Sequence, residues 1–181
     1  MGDQILPQIS ILDCATLGCA QPLAAPNLEE LHIVSCEEID SFPQGGLPQS
    51  LKTLEIDNCQ KLARRIASKG LQSEGLTSLS LSSWDDAKSF PTQACLPASI
   101  ESLVLSKFPN LETLDCKGLE HLTSLKLRIE ECPNLENITQ ETLPASITQL
   151  NIKENCPLAR KLKEMNNPRI QFETVRNCTI M

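Results

Sequence analysis

Leu51-Lys52-Thr53-Leu54-Glu55-Ile56-Asp57-Asn58-Cys59 is the stretch that decides the fold. Leu54 and Ile56 alternate with polar neighbours, which describes a short strand with one buried face. The same phrase, L-x-x-L-x-I-x-x-C, runs from Leu28 to Cys36, and from Leu6 through Ile9 and Ile11 to Cys14. Two further copies end on an aromatic instead, Leu76 to Trp84 and Ile100 to Phe108. A sixth, closing at Cys132, is one residue short after Leu125, and a seventh, Ile147 to Cys156, carries one residue extra. The first apolar position recurs near 6, 28, 51, 76, 100, 124 and 147, in steps of 22 to 25 residues.

The pattern continues beyond the Cys position. Three residues on stand Leu17, Ile39, Leu62, Ala87, Leu111 and Leu135, and three further on stand Phe42, Phe90, Leu114 and Ile138. Every second copy is preceded by the same turn phrase: Leu47-Pro48-Gln49-Ser50, Leu96-Pro97-Ala98-Ser99 and Leu143-Pro144-Ala145-Ser146. A unit of about 24 residues cannot bury its apolar stripe alone, whereas stacked units share one core. The expected fold is α/β: a curved solenoid of about seven repeats, with a parallel sheet on its concave side and short helices or irregular backbone on the convex side. One domain should span residues 1–181, with a C-terminal cap and tail over 166–181. Gln60 to Ser68 suits a short helix stopped by Gly70, and Pro157 to Glu164 suits another with Pro in its first turn. Phe42-Pro43 and Phe90-Pro91 suit extended or turn backbone, and Arg169 to Phe172 a last short strand.

Composition narrows the function. Sixteen Lys and Arg against 23 Asp and Glu give a net charge of −7, a poor match to nucleic acid or an anionic membrane. Aromatics are 3% and Tyr is absent, which argues against a base-stacking platform. No apolar run is long enough to cross a bilayer, and the first residues do not read as a signal peptide, so a cytoplasmic location is expected. The nine Cys should then be reduced packing residues. Cys14, Cys36, Cys59, Cys132 and Cys156 take the position that turns inward after the strand, while Cys19, Cys95 and Cys116 acquire no role.

With these motifs in hand, the chain resembles leucine-rich repeats, specifically those at the C-terminal end of plant intracellular NB-ARC disease-resistance proteins of the coiled-coil type. The resemblance rests on L-x-x-L-x-I-x-x-C-x-x-L, the L-P-x-S turns and Cys132-Pro133-Asn134-Leu135-Glu136, and covers residues 6 to about 158. It implies a defence role: recognition of a pathogen effector or guarded host protein, and restraint of the nucleotide-binding domain of the same receptor. The chain has no G-x-x-x-x-G-K-[ST] loop, so no nucleotide or other cofactor is expected. It reads as a receptor fragment or truncated relative, because its apolar start (Ile5, Leu6, Ile9, Ile11) lacks the polar cap that a terminal repeat needs. A cytosolic repeat adaptor, such as the substrate-binding arm of a ubiquitin ligase, stands as the alternative.

Catalytic chemistry finds little support. His32 and His121 sit in no ligand or triad spacing, and Cys14 and Cys19 have no His nearby to complete a zinc site. Asp85-Asp86 reads as a solvated bend, and the sequons at Asn137 and Asn177 should be idle without secretion. No enzyme and no metal are expected. Cys178-Thr179-Ile180-Met181 fits C-a-a-X, so Cys178 is a candidate for prenylation and weak peripheral membrane association.

A partner protein should instead meet the outward strand positions. The candidates are acidic Glu30, Glu55 and Asp57 with His32 toward the N-terminal side, small Ser80 and Ser82 in the middle, and basic Lys107, Lys126, Arg128 and Lys153 toward the C-terminal side. Such an asymmetry would orient a polar partner.

Overall fold

The computed structural model describes residues 8–13, 27–42, 46–92 and 95–173. Cys14, Cys19, Asn177 and the tail around Cys178 lie outside these residues. Eight strands form one parallel sheet: β1 (Gln8–Leu12), β2 (Glu30–Val34), β3 (Thr53–Asp57), β4 (Ser78–Ser82), β6 (Ser102–Ser106), β8 (Leu125–Glu130), β10 (Ile147–Lys153) and β11 (Ile170–Glu173). They lie side by side in chain order, and the sheet does not close on itself. The three missing numbers, β5 (Ser89–Phe90), β7 (Thr113–Leu114) and β9 (Asn137–Ile138), make a second parallel sheet of two-residue strands.

Register explains the sequence phrase. Leu31 pairs with Leu54 and Ile33 with Ile56; these in turn pair with Leu79 and Leu81, then with Leu103 and Leu105. Each of these side chains is 0 or 1% exposed. Burying one such Leu or Ile contributes about 1.5–3 kcal/mol, so the aligned columns are the main source of stability. The sixth copy is short because the sheet bulges there: Leu125 pairs with Ile147 and Lys126 with Gln149, leaving Thr148 unpaired on β10. The copy therefore starts at Leu125, one residue after the position expected from spacing.

Six of the eight strands of the main sheet end in the same way. Asp13, Ser35, Asn58, Ser83, Lys107 and Glu131 all have left-handed backbone, with φ of +50° to +56°. Each stands one residue before the Cys or aromatic position, and after the last five of them that next residue is buried. The amide of each of the first five donates to the carbonyl at the end of the next copy's strand, at 2.9–3.1 Å. The inward Cys then seals the bend. Cys59 Sγ lies 3.2 Å from the Asp57 carbonyl and accepts the Cys36 amide at 3.3 Å; Cys132 Sγ lies 3.2 Å from the Glu130 carbonyl. Where the phrase ends on an aromatic, Trp84 and Phe108 pack edge to face at 5.8 Å, with Phe90 against both.

Between the strands the return segments differ. Helix α1 (Gln60–Lys69) buries Leu62, Ala63 and Ile66 and stops at Gly70, whose φ is +77°. Helix α2 (Pro157–Glu164) buries Leu158, Ala159 and Leu162. Phe90, Leu114 and Ile138, expected in extended or irregular backbone, form the second sheet. The three L-P-x-S phrases are tight turns in which Leu51, Ile100 and Ile147 each donate an amide to the Pro carbonyl three residues back, at 3.1 Å.

Candidate functional site

Alternation along the strands sends every second residue out of the core onto one face of the main sheet. Because the strands are in register, those residues align in rows. The central row reads Ser10, His32, Glu55, Ser80, Val104, Arg128, Asn151 and Gln171. A flanking row reads Leu12, Val34, Asp57, Ser82, Ser106 and Glu130, and the other Gln8, Glu30, Thr53, Ser78, Ser102, Lys126 and Gln149. These residues are half-buried or exposed. The face brings together nine of the ten expected partner-binding residues. Lys107 lies elsewhere, in the left-handed bend past β6. There it lines a rim recess of about 290 Å³ with Ser83, Asp85, Pro109, Glu131 and Pro133.

The charges on the face differ in their partners. Lys126 makes no side-chain bond, but Arg128 Nε reaches Glu130 at 2.5 Å and its terminal nitrogen reaches Glu173 at 3.2 Å. Lys153 Nζ lies 3.7 Å from Glu130 and 3.9 Å from Glu131. Two of the three basic groups on the face are thus tied to acidic neighbours. At the other end, Glu55 accepts from His32 Nδ1 at 2.7 Å, while His32 Nε2 meets the Gln8 amide at 2.9 Å. Glu30 has no side-chain partner, and Asp57 Oδ1 is enclosed without a hydrogen bond.

The remaining chemistry-bearing residues take structural places. Burial pushes the thiols of Cys59, Cys95 and Cys116 up to about 11 and that of Cys132 to about 12, so they stay protonated at neutral pH and are poor nucleophiles. Asp86 pairs with Arg64, and the Asp85 amide donates to Gln60 Oε1 at 3.1 Å, as suits a solvated bend. His121 Nε2 bonds the Leu96 carbonyl at 2.8 Å. Among the described residues no group of three or more His, Cys, Asp or Glu is arranged to hold a metal ion. No described helix is long and apolar enough to cross a membrane.

Arg169 escaped sequence reading. Its guanidinium donates to the carbonyls of Pro144 (2.9 Å), Ile147 (2.8 Å) and Leu143 (3.3 Å), closing the last L-P-x-S turn beneath β11. A lone Arg ahead of a short apolar strand gives no signal of this, since its carbonyl partners lie 22 to 26 residues away.

No family model matches the chain. A protein of Arabidopsis thaliana named "Putative disease resistance protein" is 38% identical to it over 148 aligned residues, which take in 67% of this chain. The chain spans about a tenth of the length of that relative, 10%. The chain is therefore related to a plant protein that carries a disease-resistance name.

Proposed function

We propose that the chain is a leucine-rich repeat solenoid of about seven repeats, and that it serves as the non-catalytic, ligand-sensing region of a plant immune receptor. The observation that carries this reading is the open sheet face, where in-register rows present polar and small side chains above a continuous apolar core. A pathogen effector or a guarded host protein would lie across it, contacting Glu30, His32, Glu55, Asp57, Ser80, Ser82, Lys126, Arg128 and Lys153. Lys107 would meet the partner only at the rim. In the relative's larger frame, a nucleotide-binding domain of the same receptor would be a second partner. Offsets of 22 to 25 residues between the first seven strands of the main sheet support the repeat count, and the relative's name supports the defence role. A cytosolic location suits six buried Cys that form no disulfide.

The test sets Ser80→Arg, at the centre of the face, against Arg65→Ala on the opposite side as control. Partners are identified by proximity labelling in leaf cells and their affinities measured with purified protein. Ser80→Arg should weaken a genuine partner by about tenfold or more, through steric and charge mismatch, with Arg65→Ala neutral. Partners that bind Ser80→Arg unchanged would remove the sheet face from the account.

A further inference from the structure

The two ends of the sheet face are not electrostatic mirror images. Glu30, Glu55 and Asp57 stand on adjacent strands β2 and β3. The basic side chains that flank β3 in the chain lead elsewhere: Lys52 pairs with Glu29, and Lys61 with Glu38. Glu30 and Asp57 make no side-chain bond, and Glu55 has only the imidazole of His32. Asp57 Oδ1 is shielded from water yet unpartnered, which is costly for a carboxylate oxygen. At the far end the reverse holds, since Arg128 and Lys153 are held by Glu130, Glu131 and Glu173.

Between the ends lies a floor of serines. Ser78, Ser80 and Ser82 on β4 adjoin Ser102 and Ser106 on β6, and none of these five hydroxyls has a protein hydrogen-bond partner. Such side chains let another backbone approach closely and can bond to its amides and carbonyls. Acetate-like groups facing unpaired ammonium or guanidinium groups form the strongest of such contacts.

Resting on the reading of this face as a protein-binding surface, we infer that its occupant is a basic segment of a partner protein. Two or more Lys or Arg side chains of the segment sit over Glu30, Glu55 and Asp57, and its backbone crosses the serines of β4 and β6. Charge complementarity selects this occupant: an acidic segment would meet three carboxylates at one end and, at the other, only Lys126 unpaired beside the already-paired Arg128 and Lys153.

The experiment is selection of a displayed random 12-residue peptide library on the whole chain. Enriched peptides are then synthesised and titrated by fluorescence anisotropy. The expected result is enrichment of peptides with two or more Lys or Arg. Their affinity should fall about tenfold or more with Glu55→Lys plus Asp57→Lys, and fall on addition of salt. Glu55→Gln plus Asp57→Asn, which keeps the side-chain shape, should give a smaller loss in the same direction; both variants are checked for native circular dichroism. Neutral or acidic peptides that are lost on Ser80→Arg would overturn the basic occupant and leave the face as the binding surface. Enriched peptides indifferent to Ser80→Arg, or no enrichment at all, would overturn both.

Discussion

At the scale of single residues, the inward Cys is the joint of each unit. Cys59 is 2% exposed and bridges its own strand end to the Cys36 amide. Cys59→Ala removes that acceptor and the packing around it, and should lower unfolding free energy by about 1–3 kcal/mol in a urea titration. The thiols also predict a pH response. Desolvation lifts Cys59, Cys95 and Cys116 from 9.0 to about 11, so the folded chain keeps protons that the unfolded chain releases. Stability should therefore be intact below pH 9 and fall as pH rises toward 11, read as a falling urea midpoint. The role of the thiols was legible, because Cys recurred two places after the strand. The left-handed residue before each was not, although Asp13 and Asn58 are among the types that tolerate that backbone. Lys107 follows no such preference, and its amide bond to the Glu130 carbonyl of the neighbouring unit holds it there at a local cost of about 1–2 kcal/mol.

At the scale of elements, the turns between strands carry constraints that spacing cannot reveal. A Cβ built on Gly75 would lie 2.4 Å from the Gln49 carbonyl oxygen, which belongs to the preceding L-P-x-S turn. Gly75→Ala should therefore destabilise by about 1–3 kcal/mol, measured as a fall in urea midpoint. Arg169→Ala should remove a donor shared by three carbonyls under β11, costing about 1–3 kcal/mol and speeding amide exchange at Gln171 to Glu173 while β3 amides are unaffected. Helices α1 and α2 were readable because Gly70 and Pro157 mark their ends and their buried residues follow helical spacing. The second sheet was harder to read. Two-residue strands such as Ser89–Phe90 are too short for alternation to register, and only their parallel neighbours define them. The bulge at Thr148 announced itself as an uneven step between copies, without saying which side of the pair would absorb it.

At the scale of the whole molecule, aligned columns of apolar residues run through the parallel sheet, and the residues between them form a face that is half-buried or exposed. The positions of that face could be read from the sequence, since two-residue periodicity fixes which side chains leave the core. Its electrostatics could not, because Arg128, Glu130 and Glu173 are brought together by strand order across 45 residues of chain. What remained visible in the sequence as a basic end is largely neutralised in the fold, and the acidic end is the one left with unsatisfied charge. The most direct test of the recognition claim is site-specific photo-crosslinking in plant cells, with a photoreactive residue at position 80 on the face or at position 65 on α1. The account predicts that position 80 cross-links to a partner protein, that the product is lost when Glu55 and Asp57 are exchanged for Lys, and that position 65 gives none. Cross-linking at position 65 with none at position 80 would contradict it.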